Sequence, residues 1–428
     1  SHAISPFVPE DTLEAGGETP NDTPFEVVVL KIDIFPVPEV DNFILLSIFM
    51  LVFLFDVQAQ KTDTIVFDSP LHIPIYLAAN FGELRPNHFH AGIDLKTQGK
   101  EGLKVFATAN GFISRIKVAQ FGYGKTIYIS HPNGYTTVYT HLSKYADKIE
   151  KYVKSIQYKK ENYQTGNLFF KDGKFPVQKG DIIAYSGNTG SSGGPHLHYE
   201  IRNTKTEHIL NPLIFGLYPE DTLSPVFQSL MVYALAPHSR INNHHKNTII
   251  SLKKIKKGHY TSDKIYATGT IGFGVRVFDR LNKALNKNGI NSLEMLVNGK
   301  RVYYHHIEKF SFAESKFINL HIDYPYYKKY KRRYQKTFKE NANKLSTYKD
   351  LTENGKIEIK KGLNYSIEII AKDYNGNSSS IKIPIVGEHS NKLFYQPTDT
   401  TEFKIIAGNF HKFKKENITI AFPKNTFY

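Results

Sequence analysis

The sequence contains no cysteine and no tryptophan. Without thiols there are no disulfides, no cysteine-based zinc sites and no thiol nucleophile, so any metal must be held by His, Asp or Glu. Acidic residues are scarce relative to basic ones. Forty Asp and Glu stand against 55 Lys and Arg, a formal charge of +15. Such a surface favours an anionic partner: cell-wall polymer, lipid head groups or nucleic acid. Long apolar runs are also lacking. The one strongly apolar stretch, residues 43–55, is short of the roughly 20 residues that span a bilayer. Followed by Asp56–Gln60 with the small Ala59, it reads as the h-region of an export signal. Asp33, Glu39 and Asp41 stand where a basic flank is expected, and a signal-anchor is the competing reading.

Tyr and Phe supply the whole 13% aromatic content and lean the chain toward β structure. Residues 1–42, rich in Pro, Glu, Asp and Thr, are expected to be disordered, and with the apolar stretch form a leader over 1–60. Short alternating segments separated by turn residues predict a compact β unit over 61–220. Residues 144–179 read as a lysine-rich insertion beside the site, with a short amphipathic helix near 147–157. Residues 225–388 predict a second, immunoglobulin-like β-sandwich, with a hairpin turn at Asn298-Gly299 and a helical or loop insertion near 325–350. Residues 393–428 begin a further β domain, expected to be truncated. The fold class is therefore mainly β, in two or more domains.

The chemistry concentrates in two places. His196-Leu-His198 follows the glycine-rich run Gly187–Pro195, and His90-Ala-Gly-Ile-Asp94 lies about a hundred residues upstream. On a strand, residues two or four apart share a face. A hydrolytic zinc takes three protein ligands and leaves a fourth position for water. His90, Asp94 and one histidine of the triplet supply two imidazoles and a carboxylate. The other triplet histidine and His141 stay free. Bound zinc lowers the pKa of its water to about 7 and polarises a carbonyl. A free imidazole can then move the proton or stabilise the oxyanion. Glycines 187, 190, 193 and 194 are expected to let the backbone approach a ligand closely and to position the strand that follows. His72, His131 and His208 read as surface or turn residues, and His88 as out of register. His244-His245 and His305-His306 point to opposite faces, a poor ligand geometry.

The segments Phe81–Asp94, Tyr139-Thr-His-Leu-Ser143 and Gly187–Glu200 resemble the lysostaphin-type, or LytM-domain, zinc metallopeptidases over about 67–216. The resemblance implies an antiparallel β fold of the duplicated hybrid motif kind with a narrow groove, and cleavage of peptide bonds in peptidoglycan. It implies zinc bound by His90, Asp94 and His198, with His141 and His196 catalytic. The export signal read at 43–55 implies a periplasmic, cell-envelope or extracellular protein, which disfavours a nucleic-acid partner and leaves membrane or envelope association open. The C-terminal half is similar in style to accessory β domains of such proteins from Bacteroidetes-like bacteria. The alternative is a non-catalytic LytM-type wall-binding module that activates other hydrolases; the filled ligand positions argue against it. A cupin-like metal enzyme also uses His-x-His. Its glutamate lies four to five residues beyond the second histidine, whereas Glu200 lies only two beyond.

Overall fold

The computed structural model describes residues 65–171, 173–388, 402–406 and 408–426. The expected leader and its h-region at 43–55 lie outside these residues. Among the described residues no helix is long and apolar enough to cross a membrane.

The first β region is built on one antiparallel sheet. Its strands are β1 (Leu77–Ala79), β2 (Ile93–Lys96), β3 (Gly111–Val118), β4 (Lys125–Ser130), β5 (Tyr135–Thr140), β6 (Gly166–Phe169) and β7 (His196–Asn203), hydrogen-bonded in the order β1–β2–β7–β5–β4–β3–β6. A small sheet formed by Lys104–Phe106, Ile182–Tyr185 and Lys144–Tyr145 shares its core, contributing Val105, Ile183 and Tyr145. Alternation explains most of the burial. Where β3 breaks it, a register shift between Ile113 and Arg115 brings both Ile113 and Ile116 inward.

The lysine-rich segment runs from the small sheet, where Lys144–Tyr145 pairs with Ile182–Tyr185, to the far edge of the main sheet. Its helix α1 (Asp147–Lys160) carries Asp147 and Glu150 in the first turn and Lys159 and Lys160 in the last, complementing the helix dipole, and buries Ile149 and Val153. The chain then returns as β6, at the edge of the sheet farthest from β2.

The second region is mostly antiparallel, as expected. Its main strands are β8 (Val226–Ala234), β9 (Ile265–Phe278), β10 (Ser292–Val297), β11 (Lys300–His306), β12 (Asn364–Lys372) and β13 (Ser378–Gly387), in the order β8–β9–β13–β12–β10–β11. The start of β9 pairs with β13 in parallel. Asn298 and Gly299, both at positive φ, turn the β10–β11 hairpin. Short helices at Phe312–Ser315, Ile318–His321 and Tyr324–Tyr330 fill the connection after β11. Residues 411–422 form an exposed hairpin.

The two regions share more than a linker. Ile209–Leu210 pairs with Lys309–Phe310, extending the first sheet with a strand from the second region. Phe310 packs between Phe81 and Phe89, at ring distances of 5.1 and 5.4 Å. Leu281, Ala284, Ile307, Ile318 and Leu345 join the same core.

Candidate metal centre

Strand register assembles the site. On β7 the side chains of His196, His198, Glu200 and Arg202 share one face, while Leu197, Tyr199 and Ile201 enter the hydrophobic core. His198 lies directly opposite Asp94 of β2 on one side and Thr140 of β5 on the other. His141 follows Thr140 in the left-handed region, at φ +59°, a conformation costly for a residue other than glycine. His90 is not on the strand of Asp94. It ends a short hairpin and precedes a bend at Gly92, where a Cβ would sit 2.2 Å from the carbonyl oxygen of Tyr199. Only glycine lets β2 approach β7 at this point.

His90 Nε2, Asp94 Oδ1 and His198 Nδ1 converge. His90 Nε2 lies 3.0 Å from Asp94 Oδ1 and 3.0 Å from His198 Nδ1, and His198 Nδ1 lies 2.8 Å from Asp94 Oδ1. The outer nitrogens decide what these atoms can do. His90 Nδ1 meets the carbonyl oxygen of Asn80 at 2.7 Å. A carbonyl only accepts, so that nitrogen carries the proton and Nε2 presents a lone pair. His198 Nε2 meets Glu200 Oε1 at 2.9 Å. Glu200 is fully buried; burial opposes its charge, but Arg202, His198 and Tyr123 outweigh burial and hold it down at about 2. Its carboxylate therefore accepts, and His198 Nδ1 is left with a lone pair. Two imidazole lone pairs and a carboxylate oxygen facing one another at hydrogen-bond distance repel unless something positive lies between them. A proton is one solution: burial works against charge on His198, yet Asp94 and Glu200 raise it to about 9. A divalent ion preferring nitrogen and oxygen donors is the other, and the three residues fit one.

The remaining two histidines border this trio. His141 Nδ1 meets the carbonyl oxygen of Thr189 at 2.8 Å, and His196 Nδ1 meets that of Gly194 at 2.8 Å, so each turns Nε2 outward as a potential proton acceptor. Their ring centroids are 4.8 Å apart, and His196 Nε2 lies 3.5 Å from Asp94 Oδ1. Burial foremost, with the neighbouring His198, lowers His141 to about 4. A cavity of about 570 Å³ runs alongside, lined by Arg85, Asp94, Lys96, Gly194 and His196 among others.

All five residues singled out from the sequence are thus brought together, and the others are not. His88 is exposed, and His72 stacks on Phe106 at 3.7 Å. His305 is buried against His321, rings 4.3 Å apart. His131 is a turn residue, its carbonyl accepting from Gly134, but it is buried there rather than exposed, bridging the carbonyl of Asn110 and the hydroxyl of Thr137. The glycine run divides its work: Gly193 and Gly194 line the cavity beside Asp94 and His196, and Gly187 bridges to His196 at the start of β7. Gly187 packs against the Ser143 backbone and Gly190 against Gly122 and Gly124, locking loop onto loop, while Gly193 and Gly194 border open space. Sequence reading missed the supports: Glu200 and Arg202, which the same alternation marks, and Asn80, which no spacing signals.

Residues 88–158 and 163–212 match the sequence profile of Peptidase family M23. An uncharacterized metalloprotease of Haemophilus influenzae is 36% identical over 119 residues, covering 28% of this chain and 19% of that protein. The DD-carboxypeptidase/endopeptidase Mpg of Neisseria meningitidis serogroup B is 35% identical over 113 residues, covering 26% and 20%. The chain thus spans about a fifth of the length of these curated relatives. Among solved structures, the catalytic domain of the antimicrobial peptidase lysostaphin from Staphylococcus simulans is 24% identical, with a TM-score of 0.25, covering 33% of this chain and 91% of that one.

Proposed function

We propose that this chain, whose residues 88–158 and 163–212 match peptidase family M23, is a LytM-type member of it and an exported zinc endopeptidase cutting peptide bonds of peptidoglycan, in a stem peptide or a cross-link. One observation carries the reading: His90, Asp94 and His198 offer three donor atoms within 4.8 Å of one another, with two further imidazoles at the same place. A zinc ion held by these three would polarise the scissile carbonyl and make water acidic enough to ionise at about pH 7.

The protein's own groups do the rest. Asn80 and Glu200 fix the ligand imidazoles in the tautomers that coordinate. His141 and His196 tie Nδ1 to backbone carbonyls and so turn Nε2 toward the reacting groups. One accepts the proton of the attacking water, and the other, once protonated, donates a hydrogen bond to the oxyanion. His141, held at about 4, is neutral at physiological pH and available as the acceptor. Arg85 and Lys96 line the adjoining cavity and suit the carboxylates of a wall peptide. A D-alanyl cross-link to a diamino acid is the favoured bond, in keeping with the name of the Neisseria relative.

Export rests on residues 43–55. The filled ligand positions disfavour a non-catalytic wall-binding module, which metal content distinguishes: metal-free protein that still binds wall would support it. The deciding experiment incubates zinc-loaded residues 61–428 with isolated sacculi and defined muropeptides. New peptide termini are expected, and a mass spectrum without them would sink the proposal.

A further inference from the structure

A second cluster of metal-ligating side chains lies where the two β regions join. Asp221 is in the linker, Asp279 directly follows β9 and Asp373 directly follows β12. One oxygen of each lies within 4.8 Å of the others, and the three residues are only 8%, 1% and 5% exposed. Some of their oxygens are satisfied. Asp221 Oδ1 accepts from the backbone nitrogens of Leu223 and Asn282, at 3.1 and 3.2 Å. Asp373 accepts from the backbone and side-chain nitrogens of Asn377, at 2.9 and 2.8 Å. Two oxygens receive no hydrogen bond from a nitrogen or hydroxyl donor: Asp221 Oδ2 and Asp279 Oδ1 are sealed from solvent, and Asp221 meets Asp373 carboxyl to carboxyl, where only a proton or a cation can hold the pair. The ionised groups acting on Asp279 are the other two aspartates, and burial with their charge pushes it up to about 8. Burial foremost likewise raises Asp373 to about 6. Buried carboxylates with orphaned oxygens and no positive partner are costly to keep. Folded proteins rarely retain such a group without something to satisfy it.

We propose that Asp221, Asp279 and Asp373 bind a divalent cation of the calcium class, at a site separate from the histidine centre. An all-oxygen donor set favours a hard cation over zinc. Between hard cations, calcium accepts irregular cages of six to eight oxygens, whereas magnesium demands octahedral geometry and keeps its waters. Three carboxylates converging from a linker and two strand ends form such an irregular set.

The position gives the ion a task. Asp279 and Asn288 exchange two backbone hydrogen bonds of 2.9 Å and so close a loop. The next residue, Gly289, clamps the side chain of Asn80 through two hydrogen bonds, and the carbonyl of Asn80 orients His90. A cation on Asp279 pins the base of this loop to the linker and to the turn after β12.

The test uses the full chain with zinc present, in calcium-free buffer. Calorimetric titration should show one calcium bound per chain, and calcium in tenfold excess over its dissociation constant should raise the melting temperature by about 2 °C. Asp279→Asn should abolish both effects, whereas His198→Ala should retain both. Wild type indifferent to calcium, magnesium and manganese would overturn the site. So would an Asp279→Asn protein more stable than a calcium-indifferent wild type, because a shared proton would then hold the cluster. If that variant does not fold, terbium luminescence of the wild type, sensitised by Tyr374 next in sequence to Asp373, gives the same decision. One equivalent displaced by calcium supports the site, and no calcium-displaceable signal overturns it.

Discussion

Each histidine of the centre works because its far nitrogen is already occupied. His198→Ala should lose bound metal outright, measurable by elemental analysis. His141→Ala should keep the metal and lose cleavage, by about 10²–10⁴-fold if it is the proton acceptor; normal turnover in that variant would remove the role. Glu200→Gln leaves the fold's shape but exchanges a firm acceptor for an amide that can also donate. A loss of about 10–100-fold in metal affinity is expected. The pH dependence follows from His141. Its folded value, near 4, lies below the ordinary 6.5, so the unfolded chain binds the proton more readily between these values. Its contribution to stability is complete above pH 6.5 and is lost as pH falls toward 4. Melting temperatures of metal-free protein should decline across this window, and less steeply in His141→Ala.

At the scale of elements, β7 carries the site because it is central. It is hydrogen-bonded to β2 and β5 at once, so its register fixes Asp94 and the end of β5 relative to His198. The most sensitive point is Gly92. A methyl there meets the Tyr199 carbonyl at 2.2 Å, so β2 must separate from β7. Gly92→Ala should cost about 1–3 kcal/mol or more by thermal unfolding, and should weaken metal binding in parallel because Asp94 moves with the strand. A variant that loses stability but keeps full metal affinity would show that β2 can shift without carrying Asp94 away.

At the scale of the molecule, the second region completes the first. Phe310 and Ile318 bury apolar surface that residues 61–220 alone would leave in water, and Gly289 holds Asn80 behind the ligand His90. Residues 61–220 expressed alone should therefore melt lower than the whole and bind the apolar dye ANS more strongly. Asn80→Ala in the intact chain should lower metal affinity while leaving the melting temperature less affected than truncation does. An isolated first region as stable as the whole would show that the shared core adds nothing.

The strand of His196 and His198, the strand that ends just before His141 and the Asn298-Gly299 turn were legible in the sequence, because period-two alternation and turn chemistry are local and survive without coordinates. His90, set before the bend at Gly92 rather than on the strand of Asp94, was not placed by that alternation. Only the tertiary structure decided that the lysine-rich segment extends the far edge of the sheet, that His131 is buried, and which nitrogen of each imidazole faces the centre. It alone showed that the two β regions share a core, and that three aspartates distant in sequence meet at their junction. Those outcomes depend on contacts between residues tens to hundreds of positions apart, which no local pattern encodes.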